Sequence, residues 1–259
     1  MSVYDLPGGQ GTKSDPAPRR PGGRMASRPL HFIWLADGSG SMRVEGKIQA
    51  LNHAIREAIP HMRSAAQENP HATVFVNAIR FADEAHWMDN KLTPVSEFRW
   101  NDIEAVGATA LGEALTMVGE ALQPPLMTDR ALPPVIALVT DGLPTDDFQA
   151  GLDHLLSKPW GRQALRIVVA IGEDSASNEA QDIFRAFMAN DALRPFHANN
   201  PEALAEQIRW VSTAVLKSVS SPVGQKPDPV TGITAMRDLT PLPLLSGMEA
   251  RGPDEADVW

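Results

Sequence analysis

The sequence predicts an α/β protein: a doubly wound, Rossmann-like, mostly parallel six-stranded sheet with one antiparallel edge strand and helices on both faces. Three observations carry this. Short apolar runs alternate with longer segments whose apolar residues recur every three to four positions. The runs HFIWLA (31–36), PVIALVT (134–140) and LRIVVAI (165–171) are apolar almost throughout, as strands covered by helices on both faces must be. TVFVNAIRF (73–81) and the segment 84–89 are joined too tightly to be parallel, because a parallel pair needs a crossover of a dozen or more residues.

Taken in order, the first strand covers 31–36, and a Gly- and Ser-rich turn follows it. Ile48, Leu51, Ile55, Ala58, Ile59 and Met62 mark the first helix, with a kink or pause expected at Pro60. The strand 73–81 and its antiparallel neighbour come next. Leu111, Leu115, Val118 and Leu122 mark a second helix, ended by Pro124 and Pro125. After the strand 134–140, Phe148, Leu152, Leu155 and Leu156 indicate a third. The strand 165–171 leads to a fourth helix carrying Ile183, Phe184, Phe187 and Met188. A short strand at 194–197 and a long helix with Leu204, Ile208, Val211 and Val215 complete the pattern.

Charge divides the chain into three parts. Residues 1–29 are rich in Gly, Pro and Arg and read as a flexible basic N-terminal arm, with RRPGGRMASR at 19–28. Residues 30–219 read as one acidic domain, and 220–259 as a Pro-rich acidic tail containing Leu242, Leu244 and Leu245. With 43% apolar and 21% charged residues, the 259-residue chain is not wholly disordered. It has no cysteine, which excludes disulfides, thiolate metal sites and cysteine nucleophiles. A net charge of −9 argues against nucleic acid as a partner. No apolar run approaches the roughly 20 residues that span a bilayer, so no membrane association is expected. The start MSVYDLPGGQ lacks the charged and apolar stretches of a secretory signal, and the expected compartment is the cytoplasm.

In doubly wound sheets, ligands sit beyond the carboxyl ends of the strands, where strand order reverses. Three loops answer to that place. The first strand runs into Asp37-Gly38-Ser39-Gly40-Ser41-Met42, and the strand 134–140 runs into Asp141-Gly142-Leu143-Pro144-Thr145-Asp146-Asp147. Val106-Gly107-Ala108-Thr109-Ala110 opens the second helix. If the strands 31–36 and 134–140 are neighbours, Asp37, Ser39, Ser41, Thr109 and Asp141 meet. Two carboxylates and three hydroxyls form an all-oxygen set suited to a hard dication, Mg²⁺ foremost, with Mn²⁺ or Ca²⁺ as alternatives. A dication held by hydroxyls and waters stays electrophilic enough to attract a carboxylate from elsewhere. Singly, these residues are also common caps and turn formers. Asp146 and Asp147 read as N-cap and first-turn residues of the helix that follows. Without metal the two carboxylates crowd, so replacing either by Ala is expected to leave the fold intact.

The D-x-S-x-S pattern of Asp37, Ser39 and Ser41, the threonine at 109 and the aspartate at 141 resemble the metal-ion-dependent adhesion site of von Willebrand factor A domains. The resemblance spans roughly 30–217 and fills all five positions; one departure is Gly38, where a threonine is common. It implies serines that contact the metal directly, a threonine that does so directly or through water, and aspartates acting partly through bound waters. GKIQALNHAI (46–55), GATALGEAL (107–115) and LVTDGLPTDD (138–147) look most like the bacterial tellurium-resistance TerY branch. That branch implies a cytoplasmic interaction protein of a stress-response or defence system, working beside kinases and phosphatases.

Enzymatic patterns are poorly matched. A phosphatase of the haloacid-dehalogenase type needs a second Asp where Ser39 stands. Seryl nucleophiles need a histidine base, and none of the seven histidines falls in the three loops; these read as surface or core. GGQGTKS (8–14) lacks the phosphate-loop G-K-[ST] and follows no predicted strand. The expected function is therefore not enzymatic: a metal-dependent protein-interaction module capturing an Asp or Glu of its partner. The alternatives are a metal-dependent phosphohydrolase and a chelatase-type adaptor for an AAA+ ATPase.

Overall fold

The computed structural model describes residues 27–89 and 91–219. Most of the basic arm and the whole acidic tail, with its three leucines, lie outside the described residues. The strands are β1 (Arg28–Asp37), β2 (Ala72–Phe81), β3 (Ala85–Trp87), β4 (Thr93–Pro94), β5 (Val135–Thr140), β6 (Leu165–Ile171) and β7 (Phe196–Ala198). The helices are α1 (Lys47–Gln67), α2 (Leu111–Ala121), α3 (Phe148–Ser157), α4 (Pro159–Gln163), α5 (Asn178–Met188) and α6 (Pro201–Val219). Arg28 and Pro29, read from sequence as the end of the arm, are the first residues of β1.

The sheet order is β3-β2-β1-β5-β6-β7. β2, β1, β5, β6 and β7 run parallel, β3 pairs antiparallel with β2, and the short β4 also pairs antiparallel with β2. The expected six strands are all present, and β4 is a seventh: two residues, one of them proline, leave no periodic pattern to read. The chain steps from β1 outward to β2, then returns through β5 and moves the other way to β6 and β7. Right-handed crossovers therefore put α1 on one face and α3 and α5 on the other. α6 packs along α1, and α2 along α3. β5 and β6 are buried at every position, which accounts for their almost wholly apolar sequences; the exception within β6, Arg166, donates to the carbonyls of Phe187 and Gly161.

Pro60 does not interrupt α1, which runs unbroken from Lys47 to Gln67. Its ring sits on the exposed side of the helix, where the carbonyl that loses its N–H partner faces solvent rather than the core.

Besides Asp37 at its end, β1 buries one polar residue, His31, 3% exposed and stacked on Phe75 with ring centroids 5.8 Å apart. Neither ring nitrogen has a hydrogen-bond partner, and burial pushes the imidazole down to about 4. A group lowered in this way contributes its stability in full above its ordinary value of 6.5 and loses it as pH falls through about 4. Relative to His31→Leu, the wild type is expected to lose about 3 kcal/mol of stability between pH 7 and pH 4. Urea denaturation of both proteins at the two pH values measures this; a constant difference would mean that His31 takes up its proton in the fold at the same pH as in the unfolded chain.

Candidate metal centre

Asp37 is the last residue of β1, and Asp141 is the first after β5. The parallel pairing of these strands sets both carboxylates on one edge of the sheet, where strand order turns. They are 0% and 1% exposed. Asp37 Oδ1 accepts from the backbone N–H of Ser39 at 2.8 Å, and Oδ2 accepts from the Thr140 hydroxyl at 2.5 Å. The hydroxyls of Ser39 and Ser41 lie 3.0 Å apart, and Ser41 donates to Asp141 Oδ1 at 2.7 Å. Four of the five expected donors thus form a continuous chain of contacts from one carboxylate to the other. Ser39 is buried and Ser41 exposed, so the group opens to solvent at its middle.

The fifth donor, Thr109, reaches this edge through its backbone. Val106 N–H donates to Gly38 O at 2.8 Å and Gly40 N–H to Gly107 O at 3.0 Å, stitching the loop before α2 to the loop after β1. Thr109 N–H donates to Thr145 Oγ1 at 2.9 Å, while Thr145 N–H donates back to Thr109 O at 2.9 Å. This reciprocal pair ties the same loop to the one after β5. The three loops predicted to converge do so.

Two residues of the site escaped the sequence reading. Thr140 pairs with Asp37 because parallel register sets the end of β5 beside the end of β1. Lys47, the first residue of α1, extends its ammonium to Asp141 Oδ2 at 3.0 Å, and the whole residue is only 4% exposed. The loop after β1 reaches Lys47 through a 3-10 turn over Gly40–Gly46, broken at Val44 and Glu45. Gly46, at φ +74°, turns it into α1 and aims Lys47 back beneath the loop.

Burial pushes the Asp37 carboxyl up to about 6; the bonds from Ser39 and Thr140 oppose this, and the charge of Asp141 adds to it. Gly38, where the resemblance would allow threonine, is tightly enclosed, and a side chain there requires Arg80 and the Glu104 backbone to shift. A Cβ there would lie 3.0 Å from Arg80 Nε and 3.1 Å from the Glu104 carbonyl.

The reading of Asp146 needs correction. Asp147 caps α3, accepting from Ala150 N–H at 2.9 Å. Asp146 instead accepts from Gly112 and Glu113 N–H at 2.9 and 2.8 Å, capping α2 from a different loop. The consecutive aspartates stabilise two helix starts, so the loop after Asp141 is pinned to the helix that follows Thr109.

Among the described residues, no place gathers three or more His, Cys, Asp or Glu side chains in metal-binding proximity. The donor set at 37, 39, 41, 109 and 141 is of another kind, two carboxylates supplemented by hydroxyls. All-oxygen donors, two of them buried charges, fit a hard dication.

No protein-family model matches the chain, and no curated protein does. Solved structures show that the fold is that of von Willebrand factor A domains. The chain is similar to the von Willebrand factor type A protein of Catenulispora acidiphila (20% identity, TM-score 0.52, 74% of this chain and 43% of that one). It is also similar to VWA2, the ArnB paralog of Sulfolobus acidocaldarius (22%, 0.51, 71% and 45%). A third match is the vWF domain of the type V pili tip protein Mfa5 of Porphyromonas gingivalis (9%, 0.58, 78% and 99%). The chain spans less than half the length of the first two. No helix among the described residues is long and apolar enough to cross a membrane.

Proposed function

We propose that this domain is a metal-dependent protein-interaction module. Asp37, Ser39, Ser41, Thr109 and Asp141 hold Mg²⁺, or Mn²⁺ or Ca²⁺ in its place, and the loaded site captures an Asp or Glu side chain of a protein partner. The observation that carries this is the continuous contact chain from Asp37 through Ser39 and Ser41 to Asp141, open to solvent at Ser41. Charge supports it as well. Two carboxylates, the Lys47 ammonium and a dication leave one surplus positive charge, which a single partner carboxylate cancels. When bound, the dication supplies the electrophile; the protein residues orient it and keep bulk water from all but one side.

The system we assign is a bacterial stress-response or defence system of the tellurium-resistance, TerY-like kind, acting in the cytoplasm. The partner is a kinase, a phosphatase or an AAA+ ATPase. The stretches 46–55, 107–115 and 138–147 support that branch.

Affinity purification of the tagged protein tests the mechanism in three arms: with Mg²⁺, with chelator, and as Asp37→Asn with Mg²⁺. Specific partners are expected in the first arm and lost from the other two. Partners retained in all three would refute capture through a metal.

A further inference from the structure

We infer that Lys47 is a built-in competitor of the dication, one that holds metal affinity down and makes it depend on the partner's carboxylate. The inference rests on the metal site proposed above. Three observations converge. The ammonium sits 3.0 Å from Asp141 Oδ2, on the carboxylate whose other oxygen accepts from Ser41. It has little freedom to withdraw, because Lys47 is 4% exposed and starts a helix. Gly172, just past β6, closes over it: a Cβ there would stand 3.1 Å from Lys47 Cε and 3.2 Å from Nζ. The lysine is thus built into the floor of the site rather than resting on its rim.

The consequence is electrostatic. In the metal-free protein the ammonium neutralises Asp141, so only the Asp37 carboxylate is left without a counter-charge to attract a cation. An arriving dication meets a fixed positive charge across Asp141, and their repulsion at low effective dielectric weakens binding. The same charge leaves the loaded site net positive, so a carboxylate ligand strengthens the metal's hold, and the metal the ligand's, by one coupling free energy. Without Lys47, the metal binds more tightly and the incoming carboxylate adds less.

The test is calorimetric titration of Mg²⁺ into the chelator-stripped, full-length wild type, Lys47→Met and Lys47→Arg, each with and without acetate as a probe carboxylate. Lys47→Met is expected to bind Mg²⁺ about tenfold more tightly or better, whereas Lys47→Arg, which keeps the charge, stays near wild type. Acetate is expected to tighten Mg²⁺ binding in the wild type and to have less effect in Lys47→Met. If the wild type binds Mg²⁺ and Lys47→Met binds it equally or less well, the competitor role is overturned and the metal site stands. If only Lys47→Met binds, the competitor role stands and the native-dication reading falls. If neither binds, both fall. Should Lys47→Met fail to fold at millimolar Mg²⁺, Lys47→Gln, an uncharged N–H donor for Asp141, is read in the same way.

Discussion

Asp37→Asn is expected to lose divalent-cation binding outright and yet to be more stable than the wild type by about 3 kcal/mol in metal-free protein at pH 7. The Asp37 carboxyl lies at about 6 in the fold against an ordinary 3.8, chiefly because burial penalises its charge. A carboxyl raised in this way contributes stability in full below its ordinary value, and that contribution is lost as pH rises through about 6. The asparagine never ionises, so its advantage is small at pH 4 and nearly complete at pH 7. Its amide oxygen still accepts from Ser39 N–H, which keeps the loop in place. Chemical denaturation of both chelator-treated proteins at the two pH values checks this. A destabilised Asp37→Asn at pH 7 would show that the bonds from Ser39 and Thr140 outweigh desolvation. A residue retained at a stability cost is what a binding site requires and a purely structural turn does not.

Gly151→Ala is expected to cost about 3 kcal/mol or more and to weaken metal binding from a distance. A Cβ at 151 would lie 2.1 Å from the Gly112 carbonyl oxygen and 2.6 Å from the Gly112 Cα, atoms that cannot swing aside as a side chain does. The two glycines let α2 and α3 touch backbone to backbone. That contact matters to the site because α2 begins two residues after Thr109 and α3 follows the loop that starts at Asp141. Forcing the helices apart strains the Asp146 cap of α2 and the Thr109–Thr145 pair together. Gly142→Ala is the control, since a Cβ there meets nothing within 4 Å; its stability is expected within about 0.5 kcal/mol of wild type. Thermal denaturation of both variants, with Mg²⁺ titration of whatever remains folded, gives the comparison. Equal stability of the two would contradict close α2–α3 packing.

The long-range plan of this domain was legible because burial leaves a simple trace. β5 and β6 are apolar at nearly every position since both their faces are covered, and their expected bounds match within a residue. Convergence of the three loops followed from one topological rule together with the spacing of Asp37, Ser39 and Ser41. What stayed hidden depends on contacts between distant residues of unremarkable type. A lysine at the start of an amphipathic helix looks like a solvated charge, and only the fold reveals that Lys47 points inward to Asp141. That contact also sets the two carboxylates apart. Both alanine variants are expected to stay folded, but replacing Asp141 strands a buried ammonium and costs more than replacing Asp37. Asp146 was assigned to its own helix because capping was judged from neighbours in sequence, whereas its acceptors face α2. The kink or pause expected at Pro60 is absent, because an exposed helix face tolerates the ring.

Whether these oxygens gather round a single dication is most directly settled by crystals of the full chain soaked in Mn²⁺, using the anomalous signal of the metal. One peak enclosed by Asp37, Ser39, Ser41, Thr109 and Asp141, and absent from Asp37→Asn crystals, is the result expected. No peak there at millimolar Mn²⁺, or an identical peak in the variant, would contradict it.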